Sequence, residues 1–223
     1  MKVFSNLAMS LDGKIATRSR ELFLLGTPRD HQEMQRLRKQ ADAILIGAST
    51  LRSYKKPNLI SKAKTQPINA LLSTHLDGIS PHWPFFQDPK VHRVLFVGHT
   101  LSPARAKKFE KTSELVLLKP PTKKKPASVQ IVEWFKKRGT KSLLIEGGGG
   151  IMWDFSSAHL IQEYHVTLTP KIIGGATAAT LVDGRGFLPK EILNLKLKQC
   201  RVIGNEIYLV YQALRSSLEA TSR

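Results

Sequence analysis

Cysteine is almost absent: Cys200 stands alone among 223 residues. One thiol can build neither an intrachain disulfide framework nor a cysteine-based metal site, and its isolation fits a reducing compartment such as the cytoplasm. Acidic side chains are few, 17 Asp and Glu against 35 Lys and Arg, which leaves a net charge of +18. Long apolar runs are missing, and none approaches the roughly 18 residues that a membrane helix requires. The first apolar stretch carries Asp12 and Lys14, so it reads as a core strand and its exit loop, not as a secretory leader. A cytoplasmic location is the expectation. No HxE paired with PCxxC, no HExxH and no GxSxG occurs, which excludes cytidine-type zinc deaminase, zinc-protease and nucleophile-elbow chemistry. The 7 histidines show no metal-ligand spacing and read as surface or hydrogen-bonded side chains; no metal is expected.

What remains is an ordinary globular composition, 41% hydrophobic and 23% charged. The length suits one domain with a full core, placed at residues 1–212 with a C-terminal tail at 213–223. The positive charge gathers in short runs: Lys55-Lys56, Lys107-Lys108, Lys123 to Lys125 and Lys136 to Arg138. Such a balance favours anionic partners, nucleic acid or phosphorylated metabolites among them. Each run also reads as a solvated loop or helix face, and none has the interleaved aromatics of a single-strand nucleic-acid platform.

Residues 3–9 are β-branched and apolar and predict a strand, followed by an Asp12-Gly13 turn. Thr27-Pro28-Arg29-Asp30 predicts a helix start, with Thr27 as N-cap, proline first and an acid in the first turn. AILIG at 43–47 reads as a strand buried on both faces, as in parallel sheets. Further strands are expected at 68–73, 91–98, 115–118, 141–145 and 163–168. Helices are expected at 128–137, where Val129, Val132 and Phe135 have helical spacing, and at 151–159. Residues 81–89 read as an irregular loop and 120–126 as a basic connector. Gly204-Asn205 predicts the turn of a terminal hairpin between 195–203 and 206–212. Strands alternate with helices early and pair locally late, which predicts an α/β fold: a mixed central sheet, helices on both faces, and an antiparallel C-terminal hairpin.

The strongest local signal is Leu143-Leu144-Ile145-Glu146 running into Gly147, Gly148, Gly149 and Gly150, then a helix. Glycines let the backbone approach a ligand closely, and the free N–H groups at a helix start suit a phosphate or pyrophosphate. The run is neither a Walker loop nor a dinucleotide fingerprint, and a tight strand-to-helix turn without ligand is the competing reading. Glu146 stands at a strand's C-terminal end, where open α/β sheets bind ligands. It can accept hydrogen bonds from the amino groups of a heterocycle, or be a solvated or paired carboxylate. The Ser10-Asp12-Gly13 turn also suits an ordinary Asx turn. Ile46-Gly47-Ala48-Ser49-Thr50 leads a strand into small and hydroxyl residues able to approach a dinucleotide.

Taken together, NLAMSLDGKIA at 6–16, LRKQADAILIGAST at 37–50, LLIEGGGGIMWDF at 143–155 and LIQEYHVTLTPKIIGG at 160–175 resemble, in order, one family. It is the reductase half of the bacterial bifunctional riboflavin deaminase–reductase, with its stand-alone diaminopyrimidinone-reductase relatives in archaea and fungi. The resemblance implies a dihydrofolate-reductase-like three-layer α/β/α fold, NADPH as hydride donor and a homodimer. It implies an oxidoreductase that turns the ribosylamino chain of a pyrimidine 5′-phosphate into a ribitylamino chain, the sugar opening to an imine reduced at C1′. The implied substrate is 5-amino-6-(5-phosphoribosylamino)uracil or its 2,5-diamino-pyrimidinone precursor. Such a reaction needs positioning more than a nucleophile, and the cofactor carries the chemistry. By position, Ala8, Thr50, Gly147, Gly148, Gly149, Gly150 and Ile151 fall where the family holds NADPH, with Ser73 a further cofactor-side residue. Arg38 and Lys62 fall where basic side chains hold the substrate phosphate, and a guanidinium suits that geometry. Asn6 and Leu59 fall on the substrate, and Glu146, the expected catalytic residue, where a carboxylate contacts the pyrimidine.

The chain departs from the family pattern in places. The family's pair of aspartates before a proline is missing; Lys55-Lys56-Pro57 stands there instead. Leu22 and Leu24 replace a polar and an aromatic residue ahead of the first helix. No deaminase domain is expected beside it, and a separate protein is expected to deaminate. Bacterial bifunctional members tend to have Lys at the position of Asn6, and archaeal and fungal members Asn. An amide both donates and accepts whereas an ammonium only donates, which points toward the diamino substrate. Two other readings stay open: a diverged reductase of another pterin- or pyrimidine-like compound, and a basic nucleic-acid-binding protein on the same fold.

Overall fold

The apolar segments of the chain converge on one sheet. In chain order the elements are β1 (Lys2–Met9), α1 (Pro28–Arg38), β2 (Ala43–Gly47), α2 (Ala48–Tyr54), β3 (Ile68–Ser73), α3 (Pro84–Gln87), β4 (Arg93–Gly98), α4 (Pro103–Ala106), β5 (Glu114–Leu118), α5 (Ala127–Lys137), β6 (Ser142–Ile145), α6 (Gly149–Ser157), β7 (Glu163–Leu168), β8 (Leu195–Ile203) and β9 (Glu206–Ala213). They are defined by a computed structural model that describes residues 1–21 and 23–214; Leu22 and the tail from residue 215 lie outside the described residues. The strand order is β5-β4-β3-β2-β6-β1-β7-β9-β8. Neighbours are parallel from β5 through β7, then antiparallel where β9 joins β7 and β8 joins β9. This is the mixed sheet with an antiparallel C-terminal hairpin that the alternation of elements predicts. Gly204, at φ 60°, makes the hairpin turn.

Two apolar layers fix which helix covers which face. Phe4, Ile44 and Leu144 pack with Leu37 of α1, and Ile46, Leu71 and Leu95 continue that layer under Leu51 of α2 and Phe85 of α3. On the other face Val3, Leu45, Leu143 and Val94 meet Ile131 and Phe135 of α5 and Met152 and Phe155 of α6. Strand side chains alternate between faces, so on β1 Phe4, Asn6 and Ala8 belong to the α1 side. Strand β2 is buried along its whole length, as its five apolar and glycine residues require.

Some elements differ from expectation. Residues 81–89 contain the single turn α3, which starts at Pro84, where a fixed φ suits the first helical position. Helix α6 begins at Gly149, so two glycines are helical. On α5 the buried face is Ser128, Ile131, Val132 and Phe135, one step round from Val129. Thr27 does precede α1 but makes no side-chain cap; its hydroxyl donates to Glu206 at 2.7 Å.

Candidate active site

The parallel strands end on one side of the sheet, and the chemistry-bearing residues collect there. Glu146 is the residue after β6, and its side chain is only 8% exposed. A carboxylate so far from water needs partners, and α1 supplies them. Arg38, the last residue of α1, donates from Nε to Glu146 Oε1 at 2.8 Å and from Nη2 to Oε2 at 2.6 Å. The same guanidinium donates to the Leu59 carbonyl at 3.1 Å and to Asn58 Oδ1 at 3.1 Å. Four of its five N–H groups are thus committed. Burial works against the charged form of Arg38, and the Glu146 carboxylate more than offsets it, so the guanidinium is held above its ordinary value. Each Glu146 oxygen keeps a lone pair for a further donor.

Strand β1 lies between β6 and β7. Its register with β6 ends at Ser5↔Ile145, one residue short of Asn6 and Glu146, and both of these stand on the α1 face. Asn6 is opposite His165 and Ala8 opposite Thr167 on β7. The structure therefore brings Asn6, Ala8, Arg38 and Glu146 to one side of three adjacent strands. His165 departs from the expected surface or bonded histidine: both ring nitrogens are buried without a hydrogen bond, Nε2 stands 3.6 Å from Glu163 Oε2, and burial pushes its pKa down against the pull of that carboxylate.

The glycine turn packs against the end of β2. The Gly47 N–H donates to the Gly147 carbonyl at 3.0 Å, and Gly147 has φ 96°, a left-handed conformation that favours glycine. An added Cβ at Gly148 would stand 3.5 Å from Thr50 Oγ1. At Gly149 it would meet Asp183 Oδ2 at 2.5 Å and the Thr180 carbonyl at 2.6 Å. Gly150 faces open space, with nothing within 4 Å. Bare backbone, the Thr50 hydroxyl and the start of the nine-residue helix α6 form a surface that fits the phosphates of a dinucleotide.

Two clefts adjoin these groups. One, of about 570 Å³, is lined by His31, Gln35, Arg38, Tyr54, Lys56 and Leu59 among others. The segment after Pro57 forms its wall and is pinned to α1, since Gln35 bonds the Leu59 carbonyl and the Ser61 N–H. Lys62 is exposed on the turn beyond it, at φ 59°. The second cleft, of about 390 Å³, is lined by Ser19, Arg20, Glu21, Ser49, Arg52, Ser53 and Lys55, next to Thr50. Ser73 ends β3, two strands from β6, and its hydroxyl accepts the Leu76 N–H at 3.1 Å. No motif in the sequence singles out Asn58, Gln35, Asp183 or Thr180. Only the position of Asn58 and Gln35 near Leu59 and Arg38 could have suggested them.

The Ser10-Asp12 turn is a tether. Asp12 accepts from the Ser10 hydroxyl at 2.6 Å and from the N–H groups of Ile173 and Gly174 at 3.1 and 2.7 Å. Those bonds lower its pKa to about 2. Among the described residues, no group of three His, Cys, Asp or Glu side chains is placed to hold a metal ion, and no helix is long and apolar enough to cross a membrane.

Comparison with known proteins gives the chain its family and its fold. The chain is 27% identical over 213 residues to the 2,5-diamino-6-ribosylamino-4(3H)-pyrimidinone 5′-phosphate reductase of Methanothermobacter thermautotrophicus, covering 94% of this chain and 96% of that one. It is 27% identical over 220 residues to the riboflavin biosynthesis protein RibD of Bacillus amyloliquefaciens, covering 91% of this chain and 54% of that protein. Among solved structures, a pyrimidine reductase-like protein from Corynebacterium diphtheriae matches with a TM-score of 0.78 at 20% identity, covering 96% of this chain and 92% of that one. A dihydrofolate reductase from Enterococcus faecalis, complexed with NADP(H), matches with a TM-score of 0.54 at 11% identity, covering 96% and 97%. These two likenesses establish a dihydrofolate-reductase-like fold. Residues 1–209 match the family described as RibD C-terminal domain, and the chain belongs to that family.

Proposed function

We propose that this protein is an NADPH-dependent oxidoreductase of riboflavin biosynthesis that reduces the ribosylamino chain of a pyrimidine 5′-phosphate to a ribitylamino chain. The observation that carries the reading is the meeting of Asn6, Glu146 and the glycine turn on one side of adjacent strands, with Glu146 locked by Arg38. A reduced nicotinamide, when bound, supplies hydride to the imine carbon. The protein's part is to hold and orient. Gly147, Gly148, Gly149, Gly150 and Ile151, with Thr50 and Ala8, form the cofactor surface, and Ser73 lies on its far side. Glu146 accepts hydrogen bonds from the amino groups of the pyrimidine, and Asn6 reads the adjacent exocyclic group. The last free N–H of Arg38, with Lys62 and the cleft residues Leu59 and Lys56, holds the phosphate end.

Preference for NADPH over NADH is supported by Arg20, Arg52 and Lys55 around the cleft beside Thr50, which suit a 2′-phosphate. Asn6 supports the 2,5-diamino-pyrimidinone over its deaminated product. A homodimer is supported by exposed Leu188, Ile192, Leu195 and Leu197 along and before the edge strand β8, since open edges invite pairing. The test is loss of NADPH absorbance with each of the two pyrimidine phosphates. Turnover of the diamino compound above the uracil is expected, and turnover of neither rules the function out. Arg38→Ala should raise KM more for the phosphorylated substrate than for a dephosphorylated analogue, and equal loss on both would remove Arg38 from the phosphate.

A further inference from the structure

The first turn of α1 carries a cluster of titratable groups that the reading above leaves unused. Asp30 stands over β7 beside the Thr167 hydroxyl. Thr167 is buried and lies in register with Ala8 on one side and Tyr208 on the other. Glu206, 2% exposed, is the second carboxyl of the cluster. It accepts the Thr27 N–H at 2.8 Å, the Thr27 hydroxyl at 2.7 Å and the Tyr208 hydroxyl at 2.6 Å. The loop before α1 closes over Asp30, and it can do so only because residue 26 is glycine: a Cβ there would stand 2.1 Å from Asp30 Oδ2.

The environments of the two carboxyls pull them apart. Burial would raise Glu206, but the bonds from Tyr208 and Thr27, with the charge of Lys171, bring it below its ordinary value. Burial also raises Asp30. The Thr167 hydroxyl and His31 offset this only in part, and the charges of Glu206 and Glu33 raise it further. Adjacent carboxyls split in this way are the pattern of an acid beside a fixed anion. Strands stand about 4.8 Å apart, so β6 to β7 spans about 10 Å. That is the reach of a pyrimidine ring and the first atoms of its chain, laid from Glu146 across Asn6 and Ala8 toward Asp30, with the remaining sugar carbons turning back to the phosphate cleft at Arg38.

We propose that Asp30 is the proton donor of the reduction. The proposal rests on the chain reducing a ribosylamino pyrimidine. Hydride delivered to C1′ forms the new C–H bond, and the π pair of the C=N bond settles on nitrogen. That nitrogen takes the proton from the Asp30 carboxyl, which becomes a carboxylate and is reprotonated from solvent. Four neighbouring groups are less suited. Both Glu146 oxygens face Arg38, Asn6 has no ionisable proton, the Tyr208 hydroxyl is given to Glu206, and burial works against the charged form of His165.

The test compares wild type, Asp30→Asn and Asp30→Glu with saturating NADPH and the pyrimidine phosphate that wild type turns over. Loss of a general acid costs about 100-fold or more, so kcat of Asp30→Asn should fall by that much, with Asp30→Glu keeping a larger share. The Kd of NADPH should change less than twofold. Wild-type kcat should decline as pH rises through the acid's pKa, and that limb should vanish in Asp30→Asn. Titration of carboxyl-labelled aspartates by NMR, without ligand, gives a second readout. The resonance missing from Asp30→Asn should titrate above the ordinary 3.8. Titration at or below that value overturns the proposal, as does an Asp30→Asn variant with kcat within threefold of wild type. Wild type inactive on both pyrimidines overturns the functional reading and this proposal together, whereas an active wild type with an indifferent Asp30→Asn overturns this proposal alone.

Discussion

Arg38 is 4% exposed, a burial that a charged side chain tolerates only with a partner. Removing one member of a buried ion pair leaves the other charge stranded, at a cost of about 3–5 kcal/mol. Arg38→Ala should therefore destabilise the protein by about that much in urea unfolding. Adding Glu146→Ala to it should cost less than the sum of the two single changes, because neighbours in one network do not add. Glu146→Gln keeps the shape and loses the charge, so turnover should fall strongly while NADPH still binds. Asn6→Lys should move preference toward the deaminated uracil, read by the ratio of kcat/KM on the two pyrimidines. The residues of this site were legible one by one, through strand ends and family motifs. Their pairing was not, because Arg38 and Glu146 are 108 positions apart and a sequence carries no register between α1 and β6. Asp30 read only as a helix-start acid, and its burial against Thr167 is a tertiary event.

Asp12 gives an acid test of a different kind. Its folded pKa of about 2 lies below the ordinary 3.8. A lowered carboxylate contributes stability that is present above the unfolded value and is lost as pH falls through the folded one. Wild type should thus lose stability between about pH 4 and pH 2, in part through release of the tether to Ile173 and Gly174. Asp12→Asn should be less stable at neutral pH and show a flatter decline over that interval, followed by Tm against pH.

At the scale of elements, the glycine turn separates conformation from contact. Gly149→Ala would place a Cβ 2.5 Å from Asp183 and 2.6 Å from the Thr180 backbone, and overpacking of this kind costs about 1–3 kcal/mol. Gly150→Ala meets nothing and lies within α6, where reduced freedom of the unfolded chain stabilises by up to about 1 kcal/mol. A Tm that falls for the first and holds or rises for the second is expected. Gly148→Asp adds a negative charge beside Thr50 and should weaken NADPH binding; unchanged affinity would remove the dinucleotide from this turn. The long elements were readable because burial imposes periodicity: β2 is apolar throughout, and α5 alternates every three to four residues. The short helices α3 and α4, four residues each, were not, because a single turn carries no period. Helix α6 starts two residues before the expected 151: glycine is a poor helix former, and here contact of α6 with β2 overrides propensity.

For the whole molecule the open question is what a charge of +18 serves. Much of it lies away from the site: Lys123 and Lys124 are exposed on the connector between β5 and α5, and Lys136 and Lys137 on the last turn of α5. Around the site the basic groups are fewer and shaped by pockets, with Lys56 at one cleft and Arg20, Arg52 and Lys55 at the other. Diffuse surface charge acts through long-range attraction that salt screens within about 10 Å at 0.1 M. It should steer phosphorylated ligands and touch the chemical step little. Raising salt from about 0.05 to 0.2 M should then raise KM for NADPH and for the pyrimidine phosphate while kcat stays nearly constant. Binding to nucleic acid through the same charge would weaken far more steeply, by about 10³–10⁵ over that range if six to ten phosphates were neutralised. A complex with single- or double-stranded nucleic acid that survives 0.2 M salt, while NADPH and the pyrimidines leave the protein inert, would move the charge from accessory to purpose and favour the nucleic-acid reading. Salt-sensitive KM, salt-insensitive kcat and loss of any nucleic-acid shift at moderate salt are the expected results.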